Sequence, residues 1–109
     1  MIRIKTVNTG SISAGSQKSD EWTETEDIKL IKVIITERSG TTLNASTFYL
    51  KIGEDVITLD YAPAKIFQAN FNQVPELNIS VPAKTTVHFV LKNNESSAIN
   101  CDIAFIYEK

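Results

Sequence analysis

The side chains best suited to catalysis occur once each: His88 is the only histidine and Cys101 the only cysteine. An acid–base histidine needs a nucleophile or a second titratable partner in a cleft, and a transition-metal site needs several such ligands. Cys101 is in phase with Ile99 and Ile103, which predicts a small buried core residue. No Gly-rich phosphate loop or catalytic serine motif is present. The sequence therefore predicts a protein that is not an enzyme and has no cofactor.

The acidic stretch between residues 20 and 27 is a second chemical possibility. Its carboxylates could bind a hard cation such as Ca²⁺. It has neither the glycine nor the ligand spacing of an EF-hand loop. The expectation is a solvated polar surface, and we assign no metal ligand.

Aromatic side chains could recognise a sugar or a protein partner by stacking. The candidate ligand or partner contacts are Trp22, Tyr49, Tyr61 and Phe67. Trp22 has a second interpretation, as an anchor in the core or at the rim of a sandwich. Tyr61 and Phe67 lie in the irregular stretch from Asp60 to Glu76. Long ordered loops are often functional, so this stretch is a candidate surface for binding.

Length, charge and hydropathy limit the class of protein. The chain has 109 residues and a net charge of −2, which predicts a single domain over 1–109. No basic stripe is present, so nucleic-acid binding is not expected. No apolar run approaches the roughly 18 residues of a membrane span. The N-terminus does not resemble a signal peptide, so the expected location is the cytoplasm of the producing cell or a particle released from it.

The C-terminal third gives the clearest structural signal, because every second residue is apolar. Three sets alternate in this way: Leu77 to Val81, Val87 to Leu91, and Ile99 to Tyr107. The last two sets predict a hairpin across residues 93–98, with an even pairing sum near 190. That register places Leu91 opposite Ile99, Phe89 opposite Cys101, Val87 opposite Ile103, and His88 opposite Asp102 on the outer face.

Shorter signals place the other elements. Residues 2–6 predict a short edge strand, followed by a turn at residues 8–10. Residues 28–38 predict a strand that is apolar on both faces, with Ile31, Val33 and Ile35 on one face and Leu30 and Ile34 on the other. Residues 53–55 predict a tight hairpin, and Pro63 favours one helical turn near residues 64–68.

About seven to nine short strands with frequent turn signals predict an all-β fold, an antiparallel two-sheet β-sandwich. A jelly roll is the first expectation for its topology, and an immunoglobulin-like sandwich is the alternative. The Cys-Trp-Cys pattern of true immunoglobulin domains is absent.

The layout resembles the small single jelly-roll domains of virus and phage particles, such as capsid, turret, spike or decoration proteins. The similar elements are the entry Ser-Ile-Ser-Ala-Gly-Ser, the polar second strand to Trp22, the aliphatic strand 28–35, the corner Val-Pro-Ala-Lys-Thr-Thr, and the closing strands to Tyr107. The resemblance implies a structural building block that associates with itself and with other structural proteins in a virion. It carries over no functional residue.

Apolar residues out of phase with the core sets support the same function. A sandwich needs only one covered face per sheet, so these residues would otherwise face water. The candidate oligomer contacts are Leu30, Ile34, Val90, Ala104 and Ile106. The sequence therefore predicts a non-enzymatic structural or assembly protein that forms a homo-oligomer. The alternative is a carbohydrate- or protein-binding sandwich module.

Overall fold

The alternating apolar residues form antiparallel strands, as predicted. The structure is a computed structural model that describes residues 1–58, 62–68 and 73–109. Tyr61, a candidate contact, lies outside the described residues. The described strands are β1 (Ile2–Ile12), β2 (Gln17–Thr23), β3 (Ile28–Glu37), β4 (Thr47–Ile52), β5 (Asp55–Val56), β6 (Ala62–Pro63), β7 (Ile79–Val81), β8 (Thr86–Lys92) and β9 (Ile99–Glu108).

Two antiparallel sheets pack face to face, which confirms the two-sheet β-sandwich. The first sheet has four strands in the order β1-β9-β3-β7. The second has five strands, with the order β2-β8-β4-β5 and β6 paired with β4. The strand pairs are nested along the chain. β1 pairs with β9, β2 with β8, β3 with β7, and β4 with β5 and β6, so successive pairs alternate between the sheets.

The core lies between the two sheets. It is formed by the alternate apolar residues that the sequence indicates. Phe89 on β8 and Phe105 on β9 are fully buried, and their ring centroids lie 5.5 Å apart across the sandwich. Phe48 on β4 stacks on Phe89 at 6.0 Å. Cys101 is also fully buried, as predicted. Burial of this apolar surface is the main stabilising contribution to the fold.

The predicted hairpin between β8 and β9 is wrong. β8 pairs with β2 and β4 in the second sheet, whereas β9 pairs with β1 and β3 in the first. The connecting residues 93–98 cross from one sheet to the other. The two apolar sets therefore face each other across the core instead of lying side by side. His88 is consequently in a different sheet from Asp102 and does not lie opposite it.

Asn93 holds this crossing in place. Its side chain is buried, and its Nδ2 donates to the carbonyl oxygens of Ile12 (2.8 Å) and Ser97 (2.9 Å). Its Oδ1 accepts from the Glu95 N–H at 2.8 Å. These bonds satisfy a buried amide and fix the turn between the sheets, since a buried polar group without partners is costly.

A bulge corrects the predicted faces of β3. The pairing with β9 shifts between Leu30 and Lys32, so an extra residue is inserted at Ile31. Such a bulge exchanges inner and outer positions along a strand. Leu30 is therefore fully buried with Val33, and Ile31 is only half-buried. The prediction that Leu30 lies on the outer face is wrong.

β1 is likewise longer than predicted. The expected turn at residues 8–10 is an irregularity within one strand, where the pairing with β9 shifts between Asn8 and Ser11. Gly10 adopts a φ of 69°, a left-handed conformation that glycine tolerates without steric cost. The edge position of β1 is confirmed.

Two local predictions are also confirmed. Gly53 and Glu54 form the turn between β4 and β5, where Ile52 pairs with Asp55. A single 3-10 turn runs over Ala64–Phe67, directly after Pro63. Pro63 precedes the turn with a ψ of 125° and, contrary to the prediction, does not occupy its first helical position.

Candidate functional site

The outer face of the first sheet carries an apolar surface that includes its edge. Core residues of β9 have odd numbers, so its even-numbered residues point outward. Ile106 lies opposite Ile4 on β1, and Ala104 lies opposite Ile34 on β3. Ile2 shares the outer phase of Ile4. We call this surface the apolar face; its members are Ile2, Ile4, Ile34, Ala104 and Ile106.

Exposure differs across the apolar face. Ile4 is 64% exposed and Ile2 55% exposed, whereas Ile106 on the central strand is only 7% exposed. Ile34 and Ala104 are half-buried. Flanking strands on both sides shield Ile106, whereas the edge strand has none beyond it. The two isoleucines of β1 therefore provide most of the accessible apolar surface of this face. They were not among the predicted contacts, because the sequence analysis assigned them to an ordinary edge strand.

Val90 does not belong to the apolar face. It lies on β8 in the second sheet, between Ser19 and Tyr49, and is largely buried by them. The grouping of Val90 with Ala104 and Ile106 depended on the β8–β9 hairpin and fails with it.

Two of the candidate aromatic contacts are core residues. Trp22 is 8% exposed, and its ring lies 5.3 Å from Phe105 and 5.5 Å from Tyr107. Phe67, in the 3-10 turn, is buried against Phe48 at 5.2 Å. Neither ring can serve as an exposed stacking platform. They pack inward because each follows the inner phase of its own segment and fills the space between the sheets.

Tyr49 remains accessible on the outer face of the second sheet. It is half-buried, and its ring meets the His88 imidazole edge-on at 6.3 Å. His88 lies between Glu21 and Lys51 in one cross-strand row. Its Nδ1 is 3.9 Å from a carboxylate oxygen of Glu21. A shallow cleft of about 290 Å³ is lined by Glu21, Lys51, Gly53, Thr86 and His88.

The carboxylates of the acidic stretch contact donors of the protein itself, and two of them, Glu24 and Glu26, share the Lys109 ammonium. Asp27 accepts the Ala83 N–H at 2.7 Å, and Glu24 lies 3.3 Å from the Lys109 ammonium. Asp20 accepts the N–H of Glu21 at 2.8 Å. Within residues 1–58, 62–68 and 73–109, no three acidic, histidine or cysteine side chains converge as metal ligands would.

Two carboxylates, the buried Glu37 and the half-buried Glu95, fix loops, and sequence reasoning missed both. Glu37 ends β3 and accepts the N–H groups of Ser39 (2.8 Å), Thr41 (3.0 Å) and Asn100 (2.9 Å). Burial opposes its charge, yet these bonds and that of the Ser39 hydroxyl outweigh burial and lower its pKa to about 2. The Glu-X-Ser-X-Thr spacing after a strand was the available signal.

Glu95 lies within the crossing of residues 93–98 and fixes the loop at Ala45 and Ser46 in a similar way. It accepts the N–H groups of Ala45 (3.1 Å) and Ser46 (2.8 Å) and the Ser46 hydroxyl. Desolvation opposes its ionisation, but these bonds prevail and lower its pKa. Both carboxylates accept several protein donors and so stabilise loops; Glu95 accepts them through Oε2.

Cys101 has the properties of an inert thiol. It has no exposed surface, and burial raises its pKa to about 12, assisted by the charges of Glu37 and Asp102. The thiolate, which is the reactive form, is therefore scarce at neutral pH. Asp102 itself lies on the outer face of the first sheet, where hydrogen bonds from Arg38 (3.0 and 3.1 Å) lower its pKa.

Comparisons with known proteins give no guide to function, so the proposals below rest on the geometry of the structure. No protein family, characterised protein or solved structure matches this chain. In the part of the chain that the structure describes, no helix has the length and apolar character needed to cross a membrane.

Proposed function

We propose that this protein is a non-enzymatic structural subunit that assembles with copies of itself, of the kind that builds a virus or phage particle. The observation that carries the proposal is the apolar face. Ile4 and Ile2 are more than half exposed on it, beside Ala104 and Ile106 of the adjacent strand. A contiguous apolar surface on a soluble protein is a common mark of an association site.

We also infer that the sandwich is a jelly roll. The first strand pairs with the last, the second with the eighth and the third with the seventh, and each pair lies in the other sheet from the one before. A long hairpin rolled up around the core produces this nesting, which is the logic of a jelly roll. The same fold serves many functions, so this topology is compatible with a particle subunit without establishing one.

A ligand-binding module is the second candidate, and one observation favours it. His88 lines the shallow cleft of the second sheet with Glu21 and Lys51, and the Tyr49 ring lies 6.3 Å from the His88 ring. Sugars are commonly bound by one aromatic ring with polar groups beside it. A glycan array with Tyr49→Ala as control tests this function, and absence of any Tyr49-dependent signal would reject it.

The assembly function is tested by solution mass. Sedimentation velocity from low micromolar to near-millimolar protein should show oligomers that grow with concentration. Ile4→Lys should shift the distribution to monomer, because it places a charge on the apolar face. Ile66→Lys is the matched control, since Ile66 is another exposed isoleucine, 45% accessible, on the 3-10 turn.

A monomer at every concentration would reject the proposal, and so would equal effects of the two substitutions. Electron microscopy of the concentrated wild-type protein separates a closed or regular assembly from nonspecific association. Irregular aggregates that dissolve with Ile66→Lys as readily as with Ile4→Lys would count against a specific subunit contact.

A further inference from the structure

The outermost strands of the two sheets lie on the same side of the sandwich. β1 is one edge of the four-stranded sheet, and β2 is one edge of the other sheet. Residues 13–16 join them directly. In the described part of the chain, β1 pairs only with β9 and β2 only with β8. We call this side of the sandwich, with its two unpaired edges, the open side.

The two edges of the open side carry opposite charge. The basic pair, Arg3 and Lys5, lies on β1, and the acidic pair, Asp20 and Glu21, lies on β2. All four side chains are exposed. Among the described residues, the basic pair has no carboxylate oxygen within 4.0 Å.

Trp22 shows that the two pairs lie at the same height along the strands. Arg3 pairs with Tyr107 and Lys5 with Phe105, so the basic pair stands beside those rings. Trp22 on β2 packs against both rings, at 5.5 and 5.3 Å. The acidic pair directly precedes Trp22 in β2 and therefore lies within a few residues of the same height.

Phase and position add to the match. Asp20 and Trp22 share the inner face of β2, just as the basic pair points inward from β1, whereas Glu21 points outward beside His88. Lys18 lies two residues before Asp20 in β2. It is therefore farther from Trp22 and away from the height of the basic pair. On the open side of one molecule, the positive edge of β1 and the negative edge of β2 therefore lie at the same height along the strands, one in each sheet.

The backbone of β1 is available along this edge. The Met1 ammonium donates to the Lys109 carbonyl oxygen at 3.2 Å, and the Lys109 N–H donates to the Met1 carbonyl oxygen at 3.0 Å. Antiparallel pairs alternate between bonded and unbonded types, so the N–H and C=O groups of Ile2, Ile4 and Thr6 point away from β9. β2 is less available, because the Glu21 N–H donates to its neighbour Asp20. Side chains therefore dominate the contact on β2.

Two copies can bring their open sides together by two kinds of two-fold axis. An axis perpendicular to the sheets places β1 against β1 and β2 against β2, so that like charges meet. An axis parallel to the strands places β1 of each copy against β2 of the other. That axis also preserves height, so each basic pair meets the acidic pair of the other copy. Closed two-fold contacts of this kind are the commonest in homo-oligomers.

We propose that a second copy of this chain docks on the open side about a two-fold axis parallel to the strands, with Arg3 and Lys5 opposite Asp20 and Glu21 of the other copy. The contact rests on the proposed assembly function and adds its partner, side and symmetry. It is distinct from the apolar face, which lies on the outer surface of the first sheet. A subunit with one contact of each kind can associate with more than one neighbour.

Charge reversal tests the docking. The basic-edge variant is Arg3→Glu with Lys5→Glu, and the acidic-edge variant is Asp20→Lys with Glu21→Lys. Either alone replaces attraction by repulsion at both halves of the two-fold contact. We expect the dimer dissociation constant to rise roughly tenfold or more at low salt, with a smaller effect at high salt. Glu54→Lys with Asp55→Lys, on the opposite side of the sandwich, is the matched control and should change nothing.

The variant with all four reversals keeps the contact attractive with its signs exchanged. It should restore the wild-type dissociation constant, which also excludes misfolding as the cause of the single-edge effects. Either of two results would overturn the docking: unchanged dimerisation in both single-edge variants, or a four-fold variant as weak as each of them. If the basic-edge variant binds wild type more tightly than wild type binds itself, β1 meets β1 and the proposed axis is wrong.

The same measurements separate this proposal from the assembly function. A wild-type protein that stays monomeric at every concentration rejects both. A wild-type oligomer that Ile4→Lys dissociates, and that ignores all charge reversals, keeps the assembly function and rejects only the open-side contact.

Discussion

β8 and β9 follow one another in the chain and have the same alternation of apolar and polar residues, yet they lie in opposite sheets. Each is flanked on both sides, by β2 and β4 in one case and by β1 and β3 in the other. Their inner residues meet through the core, and their outer residues face solvent on opposite sides of the molecule. The comparison shows that a period of two residues identifies the buried face of a strand but not its neighbour.

The outer faces of these two strands differ in a way their inner faces do not. β9 presents Ala104 and Ile106 outward, whereas β8 presents His88 and Lys92 with only Val90 between them. The face of β9 is continuous with the exposed isoleucines of β1. The proposed association surface therefore belongs to one sheet, and the polar cleft belongs to the other.

The largest expected effects come from the rings that join β8 to β9 through the core. Phe89→Ala and Phe105→Ala should each lower the free energy of unfolding by about 3–5 kcal/mol, because each removes a fully buried ring. Chemical unfolding followed by the fluorescence of Trp22 measures this. The double variant should lose less than the sum of the two, since the rings are in contact. Strict additivity would contradict the packing across the sandwich.

Asn93→Ala tests the crossing that separates the two strands. The buried amide makes three hydrogen bonds, with Ile12, Ser97 and Glu95. Its loss should destabilise the protein by about 2–3 kcal/mol, because carbonyl and amide groups of the crossing lose their partners. Asn94→Ala is the matched control; its amide is exposed and donates to Ala45 at 3.2 Å. Equal effects would show that the crossing does not depend on Asn93.

Glu37→Gln should cost about 2 kcal/mol at neutral pH, because an amide nitrogen replaces one acceptor oxygen among N–H donors. The pKa of Glu37 is about 2 in the fold and 4.5 in its ordinary state. Protonation therefore favours unfolding, so its contribution is complete above pH 4.5 and is lost as the pH falls toward 2. The stability of Glu37→Gln should fall less steeply over that range, as measured by urea unfolding at a series of pH values. Parallel pH curves for the two proteins would contradict this.

Substitutions on the outer faces of β8 and β9 should have the smallest effects on stability. The two strands should differ instead in how a substitution on each changes oligomer formation. Ala104→Lys on β9 should change the free energy of unfolding by no more than about 0.5 kcal/mol and should shift oligomers toward monomer. His88→Lys on β8 is the matched substitution on the other sheet and should leave the mass distribution unchanged. Sedimentation velocity of both variants sharpens the comparison, and the opposite result would assign association to the second sheet.

The sequence predicted the faces of most strands because burial imposes a visible period. The inner phase of β8, the inner phase of β9 and the burial of Cys101 all follow from it. The partner of each strand did not follow, since residues 93–98 read equally well as a hairpin or as a crossing. Only the three-dimensional position of Asn93 decides between them.

Local irregularities limited the prediction of the candidate site. The bulge at Ile31 moves Leu30 into the core, and no residue type marks a bulge of this kind. Trp22 and Phe67 are equally good core residues and binding residues by type alone, and the structure buries both. The exposed pair Ile2 and Ile4 was visible in the sequence, but its outward direction depends on the register with β9.

The pairing of β1 with β9 also bears on how the protein folds. Ile2 pairs with Glu108, so β1 has no partner until the chain through β9 has left the ribosome. Contacts between distant parts of a chain close slowly, and sandwiches made of them typically fold in milliseconds to seconds. Until then β3, with its aliphatic residues, lacks its neighbour β9 and is open to pairing with other chains. The protein is therefore most vulnerable to wrong association with other chains before β9 is in place.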